Sequence, residues 1–157
     1  MRIGLIPACA ILFGLSLAGP QRAVSQDASA PSVLKVNLNY TGSGTVDGTH
    51  RIYVVLWDSP DFVSGQGMPV ELQPSSDKRG TVTFSNVTKV PAYVSAAYDP
   101  KGAWDGQSGP PPDGSSLGLY SKTPGKPEPI EIKPGKTAAI ELSFDDSVKM
   151  QSGKPAR

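Results

Sequence analysis

The chain has 157 residues, with 15 basic and 14 acidic residues, one histidine and one cysteine. Charge that nearly balances, with no basic run, argues against nucleic acid and anionic membrane as partners. One Cys and one His leave no room for an internal disulfide or for the usual zinc sites.

The first 25 residues read as a secretory signal peptide. Arg2 gives a positive start, residues 3–18 are almost wholly apolar, Gly19-Pro20 breaks the run, and Ala23-Val24-Ser25 offers small residues for cleavage. The apolar run is too short to serve comfortably as a membrane span. Cys9 lies inside this leader, so a mature chain beginning near Gln26 has no thiol. Its removal takes two basic residues and no acid, which brings the net charge to −1. A secreted or periplasmic location is expected, with no membrane attachment after processing.

Residues 26–31 form a small polar linker, and a single domain is expected over 32–146. The stretch 33–40 alternates Leu34, Val36, Leu38 and Tyr40 with Lys35, Asn37 and Asn39, the pattern of a half-buried strand. A Gly/Ser turn leads to a strand at 50–58. Both of its faces are apolar: Ile52, Val54 and Leu56 on one, Tyr53, Val55 and Trp57 on the other. A loop with Pro60, Phe62, Gly65 and Gly67 follows. Met68, Val70 and Leu72 then alternate beside Pro69, which suits an edge or a strand start. Strands are expected at 81–87, with Val82 and Phe84 inward, and at 92–98. Asp99-Pro100 ends the latter, because proline has no N–H for a ladder.

The segment 99–118 is too rich in Gly and Pro for a strand or helix, yet Trp104 argues for order, since a large ring packs on something. A short strand at 117–120, an alternation at Ile130 and Ile132, and a closing strand at 137–144 complete the set. Residues 147–157 are expected as a disordered tail. Short strands separated by turns, with no helical period outside the leader, define an all-β chain. The expectation is a single antiparallel β-sandwich of about seven strands.

The order Gly80-Thr-Val-Thr-Phe84, a short connector, Pro91-Ala-Tyr-Val94, a loop, and a last strand after Lys133-Pro-Gly-Lys136 resembles the prealbumin-like sandwich of carboxypeptidase regulatory-like domains. It is also similar to small secreted bacterial proteins of unknown function built on that plan. The resemblance spans about 33–144 and implies fold rather than activity. Some relatives of the transthyretin fold hydrolyse a purine-derived ring with several His and Arg, a set this chain lacks.

Chemistry-bearing residues are few. Asp99, Asp105 and Asp113 are the candidate ligands for a hard cation, since spaced carboxylates among Gly turns can supply oxygens. Lys101 stands among them, and Asx turns are the competing role. His50 is at a strand start with no G-x-S-x-G elbow anywhere. No acid pair is singled out for glycoside chemistry. A non-enzymatic binding or accessory module with the 99–118 loop as its contact region is expected, with a carbohydrate-binding module and then a hydrolase as the alternatives, and no cofactor is expected. Asn39-Tyr-Thr41 and Asn86-Val-Thr88 are glycosylation sequons, relevant only in a eukaryotic route. Aromatics are the stronger signal. Trp57, Phe62, Trp104 and Tyr120 sit on or beside loops and are the candidate ligand-binding residues, for a protein, peptide or glycan. Packing of the long loop onto the sheet is the competing role.

Overall fold

The computed structural model describes residues 31–88 and 90–151. The expected leader and most of the linker lie outside them. Among the described residues the chain is all-β, with seven strands in two sheets packed as a sandwich. They are β1 (Val33–Tyr40), β2 (Ile52–Trp57), β3 (Pro69–Ser75), β4 (Arg79–Phe84), β5 (Tyr93–Tyr98), β6 (Ser116–Leu119) and β7 (Thr137–Phe144). One sheet has the order β4-β1-β7, the other β3-β2-β5-β6. Pairings are antiparallel except β1 with β7, which run parallel in unbroken register from Val33 opposite Thr137 to Tyr40 opposite Phe144. One parallel pair is thus a departure from a purely antiparallel sandwich. It arises because β7 returns to the first sheet through a long connection rather than a hairpin.

The alternation in β1 places Leu34, Val36, Leu38 and Tyr40 in the inter-sheet core. β7 contributes Ile140, Leu142 and Phe144, and β4 Val82 and Phe84. From the other sheet come Ile52, Val54 and Leu56 of β2 and Val94, Ala96 and Tyr98 of β5. Tyr40 lies between Tyr98 and Phe144 with ring centroids 4.9 and 4.8 Å apart, so three aromatic rings fill one end of the sandwich. Gly118 on β6 is required there. A Cβ at that position would stand 2.6 Å from Phe144 Cγ.

Two expectations change. Ile130 and Ile132 are buried, but only Ile130 pairs, through a single bridge to Ala92. Pro127, Pro129 and Pro134 around them remove the donors a strand needs. The tail expected from residue 147 does not begin there. Leu117 N–H donates to Val148 O (2.9 Å), Gly114 N–H to Met150 O (2.9 Å) and Met150 N–H to Ser115 O (2.8 Å). The chain therefore crosses from the β7 sheet and covers the free side of β6. Residues 152–157 of the expected tail lie outside the described residues.

Candidate functional site

The outer face of the four-stranded sheet is built in three rows by the strand register. Pro74, Tyr53, Ala97 and Leu117 make the first. Leu72, Val55, Ser95 and Leu119 make the second. The third holds Trp57 opposite Tyr93. This explains the two apolar faces of β2: one meets the opposite sheet, and the other needs separate cover.

The long loop after β5 supplies that cover over the first row. Asp99, buried at its start, accepts N–H bonds from Lys101 (2.9 Å), Ala103 (2.8 Å) and Trp104 (3.0 Å), which turns the chain back over the sheet. Trp104 meets the Tyr53 ring edge-on, with centroids 5.0 Å apart at 71°, and its indole N–H donates to Gly109 O at 3.2 Å. Gly106 allows the close approach: its φ is +82°, and a Cβ there would lie 2.6 Å from Tyr53 Cδ1. Asp105 accepts the Ser108 hydroxyl and the N–H groups of Gln107 and Ser108, which hold its carboxyl down at about 2.

At the other end of the face, residues Pro60–Ser64 form one 3₁₀ turn. Ser59 Oγ accepts the Asp61 N–H and Pro60 occupies the first turn, where its missing donor costs nothing. The turn delivers Phe62 onto Trp57 in a parallel stack, with centroids 4.7 Å apart and planes within 10°. Trp57 Nε1–H donates to Ser95 Oγ at 2.9 Å, which fixes the indole across β5. An open apolar groove runs between this stack and the long loop, lined by Trp57, Phe62, Leu72, Trp104, Pro110 and Leu119 among others. Among the described residues, five large apolar side chains are left exposed. Four of them, Val63, Met68, Val70 and Val148, line this groove, and Met68 is 80% exposed.

Of the four aromatics expected to bind ligand, the structure brings Trp57, Phe62 and Trp104 to one groove. Tyr120 is half-buried against the core and does not line it. Trp104 has a packing duty as well, since it pins the loop to Tyr53. The exposed rim of Val63, Met68 and Val70 was missed by sequence reasoning. The alternation of Met68 with Val70 beside Pro69 was its available signal. The candidate cation ligands do not converge. Asp99 and Asp105 are each saturated by turns of their own loop. Among the described residues no group of three or more His, Cys, Asp or Glu is placed to hold a metal. His50 Nδ1 lies 3.1 Å from Asp47 Oδ1, an oxygen that also accepts the N–H groups of Thr49 and His50, so this contact closes a turn.

A different carboxylate dominates the electrostatics. Asp146 Oδ1 accepts the hydroxyls of Tyr40 (2.6 Å) and Ser116 (2.7 Å), and Oδ2 accepts the N–H and hydroxyl of Ser43 (both 2.9 Å). Those donors, Tyr40 first, hold its carboxyl far below the usual carboxylate range. Burial, reinforced by Asp146, pushes the Tyr40 phenol up to about 12. Lys149 Nζ lies 3.1 Å from Asp146 Oδ1. This node joins β1, β6 and the segment after β7; of its members Lys149 lines the groove, and Asp146, Tyr40, Ser43 and Ser116 do not.

The architecture defines an all-β sandwich with an open aromatic groove on one outer face. No family model, no curated protein and no solved structure matches the chain.

Proposed function

We propose that this chain is a secreted or periplasmic binding module, not an enzyme, that takes a partner in the groove between the 3₁₀ turn and the 99–118 loop. The prealbumin-like plan is part of this reading, and two sheets of three and four strands are compatible with it. The leader-like start supports export. The single observation that carries the binding role is the concentration of exposed apolar side chains. Four of five, among the described residues, fall along one groove, and such clustering marks an interaction surface.

A protein or peptide segment is the occupant favoured by the aliphatic rim, since Met and Val offer dispersion contacts rather than sugar stacking. A glycan is the second reading, favoured by the flat Trp57–Phe62 stack. Peptide and glycan arrays probed with the wild type, Phe62→Ala and Met68→Asp test both. The expected result is binding on the peptide array that falls at least about tenfold in both variants, with the melting temperature of Met68→Asp unchanged. Binding on the glycan array alone, lost in Phe62→Ala, selects the second reading. Binding that survives both substitutions rejects the groove.

A further inference from the structure

A strand at the edge of a sheet presents unpaired N–H and C=O groups, and proteins usually block such edges. Three edges of this sandwich show such devices. β3 carries Pro69 and Pro74. β6 is covered by residues 148–150. β4 opens on Arg79 and Gly80, a charge and a strand breaker. β7 has none. Its eight residues, TAAIELSF, contain no Pro, Gly, Lys or Arg, run in unbroken register, and pair among the described residues only with β1.

The direction of its free groups follows from two bonds. Lys136 O accepts from Val33 N–H at 3.0 Å, and Phe144 O from Thr41 N–H at 2.9 Å. Even-numbered residues therefore face β1. Backbone groups alternate sides along a strand, so the N–H and C=O of Thr137, Ala139, Glu141 and Ser143 point outward. All four of these residues are exposed.

We propose that β7 is a self-association edge, pairing antiparallel with β7 of a second copy about a two-fold axis at Ile140. In that register Thr137 stands opposite Ser143 of the second copy, and Ala139 opposite its Glu141. The two glutamates thus avoid each other, and each lies against a small side chain. Outward residues meet outward residues, so about eight ladder bonds form. Charge complementarity selects a second copy over an unrelated strand. Lys133 and Lys136 precede the strand, and neither has an ion-pair partner within the chain among the described residues. Asp145 follows it. Two-fold reversal brings the basic start of each strand to the acidic end of the other. The two three-stranded sheets then form one continuous six-stranded sheet. A single strand pair is a small interface, so association falls in roughly the micromolar range.

Sedimentation velocity of the purified protein across a concentration series tests the pairing. The wild type is expected to dimerise reversibly and to dissociate as salt rises. Ala139→Pro removes an outward N–H that β1 does not use, and it should give a monomer. Ala139→Asp sets an acid opposite Glu141 of the second copy and should weaken the dimer about tenfold. Adding Glu141→Lys to that variant should restore it, and restoration excludes loss of fold as the cause. A wild type that stays monomeric to several hundred micromolar overturns the proposal, and so does a dimer that persists in both single variants.

Discussion

Asp146 does more for this fold than its position just past the last strand implies. Its two oxygens take five hydrogen bonds, two from Ser43 and one each from Tyr40, Ser116 and Lys149, across two sheets and a loop. Charge-assisted bonds of this kind are shorter and stronger than neutral ones. In Asp146→Asn one acceptor oxygen becomes a donor amide, and either the Tyr40 hydroxyl or the Ser43 N–H then faces another donor. The expected loss is about 1–3 kcal/mol near neutral pH, measured by urea unfolding. The pH dependence has a definite sign. A carboxyl whose folded pKa lies below its unfolded value stabilises fully above the unfolded value, about 4, and the contribution fades as pH falls toward the folded one. Wild-type stability should therefore drop below about pH 4 more steeply than that of Asp146→Asn. Parallel acid limbs in the two proteins would refute this role. The Lys149 contact, with both side chains about a third exposed, adds little.

Among the elements, the loop between β5 and β6 is held mostly by hydrogen bonds of its own turns. Trp104 against Tyr53 is the main apolar contact, and Asp99 and Asp105 fix the turns. Half of an indole buried, about 100 Å² at about 25 cal/mol per Å², is worth about 2–3 kcal/mol. Trp104→Ala should leave the sandwich folded while trypsin cuts at Lys101 several-fold faster; equal cutting rates in the two proteins would show that Trp104 holds nothing. This packing duty was legible in part, because a Trp among many Gly and Pro residues demands a partner. The partner, Tyr53, was not legible, since it lies on a strand far upstream whose second face had no assigned neighbour. β1 and β7 were plain from alternation alone, as LKVNLNY and TAAIELSF each expose one polar side. The β7 pairing to β1 was hidden, because period two gives a face and not a neighbour. The groove was hidden for the same reason. Phe62 reaches Trp57 through a 3₁₀ turn set by Ser59 and Pro60, and a five-residue turn leaves no periodic trace.

Across the whole molecule the two outer faces differ in kind. The β4-β1-β7 face carries a polar ladder, with Asn37 donating to Glu141 (2.7 Å) and accepting from Thr81 (2.9 Å). The opposite face is apolar, covered in part by the long loop and the 3₁₀ turn and open as a groove between them. The C-terminal segment ties the halves together: it leaves β7, places Asp146 between β1 and β6, and then pairs along β6. Nested truncations separate these two duties. Ending the chain after Ser147 removes three backbone bonds and the Lys149 contacts but keeps the Asp146 node. At about 1 kcal/mol net per bond, less the entropy recovered by the freed residues, the loss is about 1–3 kcal/mol. For a domain of this size that lowers the melting temperature by roughly 3–10 °C and leaves one cooperative transition. Ending it after Asp145 removes the carboxylate as well and strands the buried Tyr40 hydroxyl and the Ser116 hydroxyl without their acceptor. That second step should cost more than the first, although it deletes only two further residues. Differential scanning calorimetry of both truncations decides it. If the step from Ser147 back to Asp145 changes the melting temperature by less than the first step does, the edge pairing along β6 is the principal tie between the sheets and the Asp146 node is secondary.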